Sequence, residues 1–131
     1  MITAVDTSVV LDVFLPDETH GPRSSGWLRE AYDKGAILVC DVVYAELAPA
    51  FGDRAALDGA LREINATLSP IDTAIAYEAG LRWRQYRQAG GRRDRIMTDF
   101  LIGAHAAAAA DQFLTRDRGF YTTYFPELQR S

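Results

Sequence analysis

Four acidic residues stand at places where a chain of this pattern can concentrate chemistry. Asp6 closes the short apolar run of residues 2–5, and Glu46 sits inside the apolar stretch Val42-Val43-Tyr44-Ala45-Glu46-Leu47. Asp99 opens the apolar segment that begins with Phe100, and Asp117 follows Phe113-Leu114-Thr115-Arg116. Carboxylates gathered at about 5 Å repel one another by on the order of 3 kcal/mol per pair at an effective dielectric near 20. Against a domain stability of about 5–15 kcal/mol, several such pairs demand a cation among them. Oxygen-only donors favour Mg²⁺ or Mn²⁺ over zinc or copper. Such an ion, with open water positions, suits phosphodiester hydrolysis. Taken singly, each acid also has a plain structural use. Asp6 can start a turn, Asp99 can sit against a helix dipole and Asp117 can shape a loop. Glu46, flanked by apolar residues, is harder to explain that way.

The elements that must position these acids alternate along the chain. Strands are expected at residues 2–5, 37–40, 67–70 and 112–115, the last ending two residues before Asp117. Helices are expected over 7–14, stopped by Pro16, and over 21–34, stopped by Gly35. Asp41 is expected to cap a helix over 42–50, Asp53 to open one reaching residue 66, and Asp72 one reaching residue 88. In the last of these, Ile75, Ala79, Trp83 and Tyr86 recur at helical spacing and face a core. Gly90-Gly91 ends it. Thr98 is expected to cap a buried helix to about residue 110, a turn or short helix covers 117–121, and residues 124–125 add an edge strand. Strands alternating with helices imply an α/β fold with a parallel sheet. In such sheets ligands bind beyond the carboxyl ends of the strands, where Asp6, Glu46, Asp99 and Asp117 can meet.

Composition narrows the class. The 131 residues suit a single domain spanning 1–131, and 48% apolar residues can build a core without disulfides. The lone cysteine, Cys40, excludes an internal disulfide and a cysteine-pair zinc site, and reads as a packed thiol in a reducing cytoplasm. Neither a signal peptide nor a membrane-spanning run is expected. The net charge of −4 is unusual for a protein that grips nucleic acid through overall charge, so basic residues must act locally. Nearly all of them are arginine. A stretch comprising Arg82, Arg84, Arg87, Arg92, Arg93 and Arg95 is one candidate for holding a nucleic-acid backbone, with Arg92, Arg93 and Arg95 nearest the third acid.

Asp6-Thr7-Ser8-Val9-Val10-Leu11-Asp12 resembles the opening motif of PIN domains, and Val43-Tyr44-Ala45-Glu46-Leu47 resembles the second. Asp99-Phe100-Leu101-Ile102-Gly103-Ala104-His105-Ala106 resembles the third, and Leu114-Thr115-Arg116-Asp117 the fourth. No one of these motifs is specific, but the ordered set spans nearly the whole chain and is similar to that of the VapC toxins of toxin–antitoxin pairs. The resemblance implies a PIN-like three-layer α/β/α fold with a four- or five-stranded parallel sheet. It also implies an Mg²⁺- or Mn²⁺-dependent endoribonuclease, usually homodimeric, inhibited by a cognate VapB-type antitoxin in the active-site groove. By position, Asp6, Glu46, Asp99 and Asp117 match the family's acidic metal-binding quartet, and Ser8 and Thr115 match supporting hydroxyls. The chain departs from the pattern in having Met97-Thr98 before the third motif. Asp94 is a rival for Asp99, which is preferred because the apolar helix follows it directly.

Rival chemistries are disfavoured by particular residues. An aspartyl-phosphate phosphatase needs a second acid two residues after its nucleophile, where Ser8 stands, and a receiver domain needs a late lysine, whereas Lys34 comes early. Neither a GK[ST] loop nor a GxGxxG turn is present. His20 falls in an expected loop and His105 on a buried helix, so a histidine-driven attack by the ribose 2′-hydroxyl is disfavoured. Trp27, Leu28, Tyr44 and Phe51 are candidate antitoxin contacts whose ordinary use is in the core. The remaining alternative is a non-catalytic binding module on the same fold, for RNA or protein.

Overall fold

Three or four residues of β-prone sequence suffice for each strand because the sheet they form is covered on both faces. Described here are residues 1–15, 17–91 and 96–129 of a computed structural model. Strands β1 (Thr3–Val5), β2 (Ile37–Cys40), β3 (Ala66–Ser69) and β4 (Gln112–Leu114) make one sheet in the order β3-β2-β1-β4. Every pairing is parallel, with Ala4 opposite both Leu38 and Phe113. The order reverses at β1, so the crevice between β1 and β4 is the topological switch point of this sheet.

The helices are α1 (Thr7–Phe14), α2 (Gly21–Lys34), α3 (Asp41–Leu47), α4 (Arg54–Glu63), α5 (Thr73–Gln88), α6 (Met97–Ala109) and α7 (Arg118–Tyr124). One apolar cluster joins the sheet to α1–α4 through Val9, Val10, Leu28, Val39, Val43, Leu47, Leu57 and Leu61. A second, aromatic cluster of Tyr86, Phe100, Phe120, Tyr121 and Phe125 joins α5, α6 and α7. The result is the expected α/β/α layering with a four-stranded parallel sheet. Among the described residues no helix is long and apolar enough to cross a membrane.

Several local signals behave as the sequence predicts. Asp53 and Asp72 cap α4 and α5 by accepting backbone N–H bonds from Ala56 and Ile75, both at 2.8 Å. Ala79 and Tyr86 are buried, with Ile75 and Trp83 packed beside them. Gly35 ends α2 with a φ of 150°, and a Cβ there would stand 2.2 Å from the Met1 carbonyl oxygen. Only glycine permits the chain start to lie against this turn, where the Met1 ammonium donates to Lys34 O at 2.9 Å. Leu28 is core, while Trp27, Tyr44 and Phe51 pack partly buried against it. Cys40 is buried, and burial pushes its thiol pKa up.

Other expectations require correction. The helix expected to reach residue 66 ends at Glu63, because Asn65 takes a left-handed φ of 56° and frees the chain for β3. The segment 42–50 is not one helix, since α3 starts at Asp41 and yields after Leu47 to a 3₁₀ turn, Ala48–Ala50, containing Pro49. Thr98 does not cap α6. The cap is Ile96, whose N–H is taken by the Asp99 carboxylate at 3.3 Å, and Thr98 is the second residue of the helix. Residues 124–125 form no strand, because Tyr124 ends α7 and Phe125 is buried against the aromatic cluster.

Candidate active site

Asp6 is the first residue beyond β1, and its extended backbone turns the chain into α1. Its N–H donates to Leu114 O at 2.9 Å, which ties the end of β1 to the end of β4 at the switch point. Both carboxylate oxygens are held. Oδ1 accepts from Thr7 N at 2.8 Å, and Oδ2 accepts from Thr115 Oγ1 at 2.7 Å. The buried Thr115 hydroxyl also accepts the Asp117 N–H at 3.0 Å. One side chain therefore fixes the first acid and places the turn that carries the fourth.

Glu46 arrives from α3, on its exposed face, and accepts a hydrogen bond from Thr7 Oγ1 at 2.6 Å. Asp99 arrives from the first turn of α6. That turn is anchored by Phe100, which is fully buried and makes ring contacts at 5.4 Å with Tyr86 and 5.3 Å with Phe120. Aromatic pairs at such separations contribute about 0.5–1.5 kcal/mol each beyond burial. The acids meet as charges. Burial first, then the charges of Glu46 and Asp99, raise the Asp6 pKa from 3.8 to about 6, against the opposing hydrogen bonds from Thr115 and Thr7. Glu46 and Asp99 thus both act on Asp6, and Asp117 is joined to Asp6 through Thr115.

The hydroxyls divide unequally. Thr115 bonds Asp6 as expected, whereas Ser8 makes no hydrogen bond to these acids among the described residues. Thr7, which sequence reasoning read only as a helix start, is the hydroxyl that bonds Glu46. The signal for Thr7 was its place directly after Asp6, in the first turn of a helix leaving the switch point. Arg92, Arg93 and Arg95, together with the rival acid Asp94, lie outside the described residues. Arg82, from the same basic stretch, has an internal use. It pairs with Glu78 and Glu127 and stacks on Phe125 at 4.6 Å. His105 is buried, with Nε2 2.8 Å from Ser69 Oγ, and burial lowers its pKa, as befits a satisfied core residue.

Among the described residues no three histidine, cysteine, aspartate or glutamate side chains form a ready-made metal cluster. The donor chemistry nevertheless fits a hard divalent cation. It consists only of oxygens, its central carboxylate ionises reluctantly because it is buried and, in smaller part, because Glu46 and Asp99 are negative, and Glu46 is exposed. Next to it lies a cavity of about 620 Å³ between α3 and α6, lined by Asp41, Val42, Ala45, Glu46, Ile71, Thr98 and Leu101. In this wall the Thr98 hydroxyl is buried and has no hydrogen-bond partner among the described residues. The cavity is open, largely apolar and rimmed by two acids.

A family model described as PIN domain matches residues 3–126. Among solved structures, the chain is similar to VapBC2 from Rickettsia felis bound to a DNA fragment from their promoter. Identity is 17%, coverage is 98% of this chain and 96% of that one, and the TM-score is 0.74. It is also similar to VapBC-1 from nontypeable Haemophilus influenzae, at 17% identity, 98% and 95% coverage and a TM-score of 0.68. A third similar structure is FitAcB from Neisseria gonorrhoeae, at 18% identity, 100% and 95% coverage and a TM-score of 0.65. At these identities the likeness establishes the fold. No curated protein matches the sequence.

Proposed function

The chain belongs to the PIN domain family, and we propose that it is a metal-dependent endoribonuclease serving as the toxin of a toxin–antitoxin pair. The observation that carries this reading is the convergence at the β1–β4 switch point. Asp6 sits there with a pKa raised to about 6, in part by the charges of Glu46 and Asp99, and Thr115 ties it to the turn of Asp117.

In this reading Asp6, Glu46, Asp99 and Asp117 hold Mg²⁺ or Mn²⁺, which when bound supplies Lewis-acid chemistry for in-line hydrolysis of an RNA phosphodiester. The chain's own residues prepare that site. Thr115 and the Thr7 N–H orient the Asp6 carboxylate, and the Thr7 hydroxyl orients Glu46. Phe100, locked in the aromatic cluster, fixes the turn that carries Asp99. Ser8, in the same first turn of α1, is a further hydroxyl within this part of the fold. Arg92, Arg93 and Arg95 are proposed to steady the RNA backbone.

The open cavity beside Glu46 suits a partner segment. The cognate antitoxin is proposed to lay such a segment there, with an arginine offsetting the acids as a cation does. Complexes named VapBC and FitAcB on the same fold support an antitoxin partner. We further propose a homodimer working in the cytoplasm, where the buried Cys40 stays reduced.

The deciding experiment incubates purified protein with structured and single-stranded RNAs, with and without Mg²⁺ or Mn²⁺. Cleavage should require the ion and vanish in Asp6→Asn and Asp99→Asn proteins that retain wild-type circular dichroism. Full cleavage in both variants, or in excess EDTA, overturns the mechanism. Ion-independent RNA binding without cleavage would favour the non-catalytic module.

A further inference from the structure

α1 leads away from the acids to a second, differently charged place. Asp12 lies six residues along it from Asp6, about 9 Å at 1.5 Å per residue. Its carboxylate is buried, and one oxygen receives both the Ser24 hydroxyl at 2.7 Å and Arg116 Nε at 3.1 Å. This clamp locks α1, α2 and the segment after β4 together. Beside it, three side chains stack. The Arg23 guanidinium lies 4.8 Å from the centre of the Trp27 ring, one turn along α2. The Arg118 guanidinium lies 5.1 Å from the same ring centre.

The two arginines are exposed, and Trp27 is only partly covered. Arg54, Arg82 and Arg116 each have a carboxylate partner, whereas among the described residues neither Arg23 nor Arg118 is in an ion pair. Besides Trp27, among the described residues Arg23 reaches the His20 ring, at 3.4 Å. Two guanidiniums without carboxylates on one indole are conspicuous in a chain with 18 acidic and 14 basic residues. Stacking fixes the rotamers of both arginines in advance and leaves their N–H edges free for bidentate contact with phosphate. An accessible aromatic ring among arginines is also the combination that holds single-stranded nucleic acid, phosphates on the cations and a base on the ring. Arg118 directly follows Asp117, so the platform adjoins the acidic pocket through a single peptide bond.

We propose that Arg23, Trp27 and Arg118 form a subsite that grips a single RNA strand beside the acidic pocket, taking a neighbouring phosphate and a base. This rests on the nuclease reading above, but its test does not need cleavage. The full chain carrying Asp6→Asn is titrated in EDTA with a fluorescein-labelled single-stranded RNA at several salt concentrations, read by anisotropy. Arg23→Gln with Arg118→Gln should weaken binding about tenfold or more and lower the slope of log K against log salt by about one to two. Trp27→Ala should weaken binding about tenfold or more with less change in that slope, since stacking carries no charge. Unchanged affinity and slope in the double variant, with wild-type circular dichroism, would overturn the subsite even if the enzyme cleaves RNA. Loss of binding to an acidic co-expressed protein, with RNA binding intact, would overturn it in favour of a protein interface. Arginine-dependent RNA binding in a chain that never cleaves would leave the subsite standing and sink the nuclease reading.

Discussion

At the scale of single residues, Asp6 is where geometry and electrostatics meet. The folded chain holds its carboxyl at a pKa of about 6 against 3.8 for a free side chain, chiefly because it is buried. Between those values the native state binds more protons than the unfolded state, so ionising Asp6 costs stability, and the cost is fully present above about pH 6. Asparagine keeps the shape without the charge. In chelator, Asp6→Asn is expected to match or fall slightly below the wild type near pH 4. By pH 7.5 it should exceed it by about 2–3 kcal/mol, the size of the shift. Urea unfolding across that pH range checks this, and a gap that stays flat would remove the claim. Thr115 acts in the opposite sense, because its hydrogen bond lowers the Asp6 pKa. Thr115→Val should therefore move the acidic limb of the cleavage pH profile upward and lower the rate roughly 10–100-fold. A pH–rate profile with an unmoved limb would assign Thr115 to folding alone. The positions of Asp6, Asp99 and Asp117 were legible in the sequence because each adjoins a recognisable strand or helix boundary, and Glu46 stood out as a charge inside an apolar stretch. The hydroxyl on Glu46 was not legible. Thr7 and Ser8 differ by one position, about 100° around a helix, and nothing in sequence spacing says which of them faces α3.

At the scale of elements, what can be read in advance is what is locally determined. Asp53 and Asp72 cap their helices because the capping bond spans three residues, and Gly35 ends α2 because the chain start closes on it. Thr98 looked like a cap by composition, yet Ile96 holds that place because the Asp99 carboxylate reaches back to its N–H. Residues 124–125 have strand-forming types, but packing on Phe100 and Tyr121 decides their conformation, and strand propensity yields to such context. The contact between α1, α2 and Arg116 was illegible for a related reason, since its partners stand 12 and more than 100 residues apart. Removing its centre should be felt by all three elements. Asp12→Ala leaves the Ser24 hydroxyl buried without a partner and Arg116 a third exposed without its counter-charge, a loss of about 2 kcal/mol after allowing for solvent at the arginine. Chemical denaturation of the variant measures it, and a loss below about 0.5 kcal/mol would show that the clamp is slack. Gly103 makes a second demand at this scale. A Cβ there would lie 2.4 Å from the Phe125 ring, so Gly103→Ala should force α6 away from the aromatic cluster at a cost of about 1–3 kcal/mol, read as a lower Tm.

At the scale of the whole molecule, the fold brings the Glu46 and Asp99 carboxylates within electrostatic reach of the buried Asp6 at one end of its sheet. Asp6, Glu46 and Asp99 come from three separate elements, and assembling the sheet and its covering helices is what forces their charges together. The native state therefore carries a repulsion that the unfolded chain lacks. An ion that binds only the assembled site must stabilise the entire domain, by about 2.7 kcal/mol at a hundredfold excess over its dissociation constant. Adding Mg²⁺ or Mn²⁺ to chelator-treated protein at pH 7.5 should accordingly raise Tm in a concentration-dependent way. Asp6→Asn, starting from a higher Tm, should respond weakly, and Asp99→Asn likewise. Sodium chloride at equal ionic strength separates site binding from screening, because screening relaxes exposed charges generally while a bound ion needs the particular carboxylates. Equal rises in Tm for wild type and both variants would mean that the ion does not bind these acids. A rise confined to the wild type would join the raised Asp6 pKa, the Thr115 bond and the position at the β1–β4 crevice into one statement: the same convergence that burdens the empty fold is what makes it able to hold a cation.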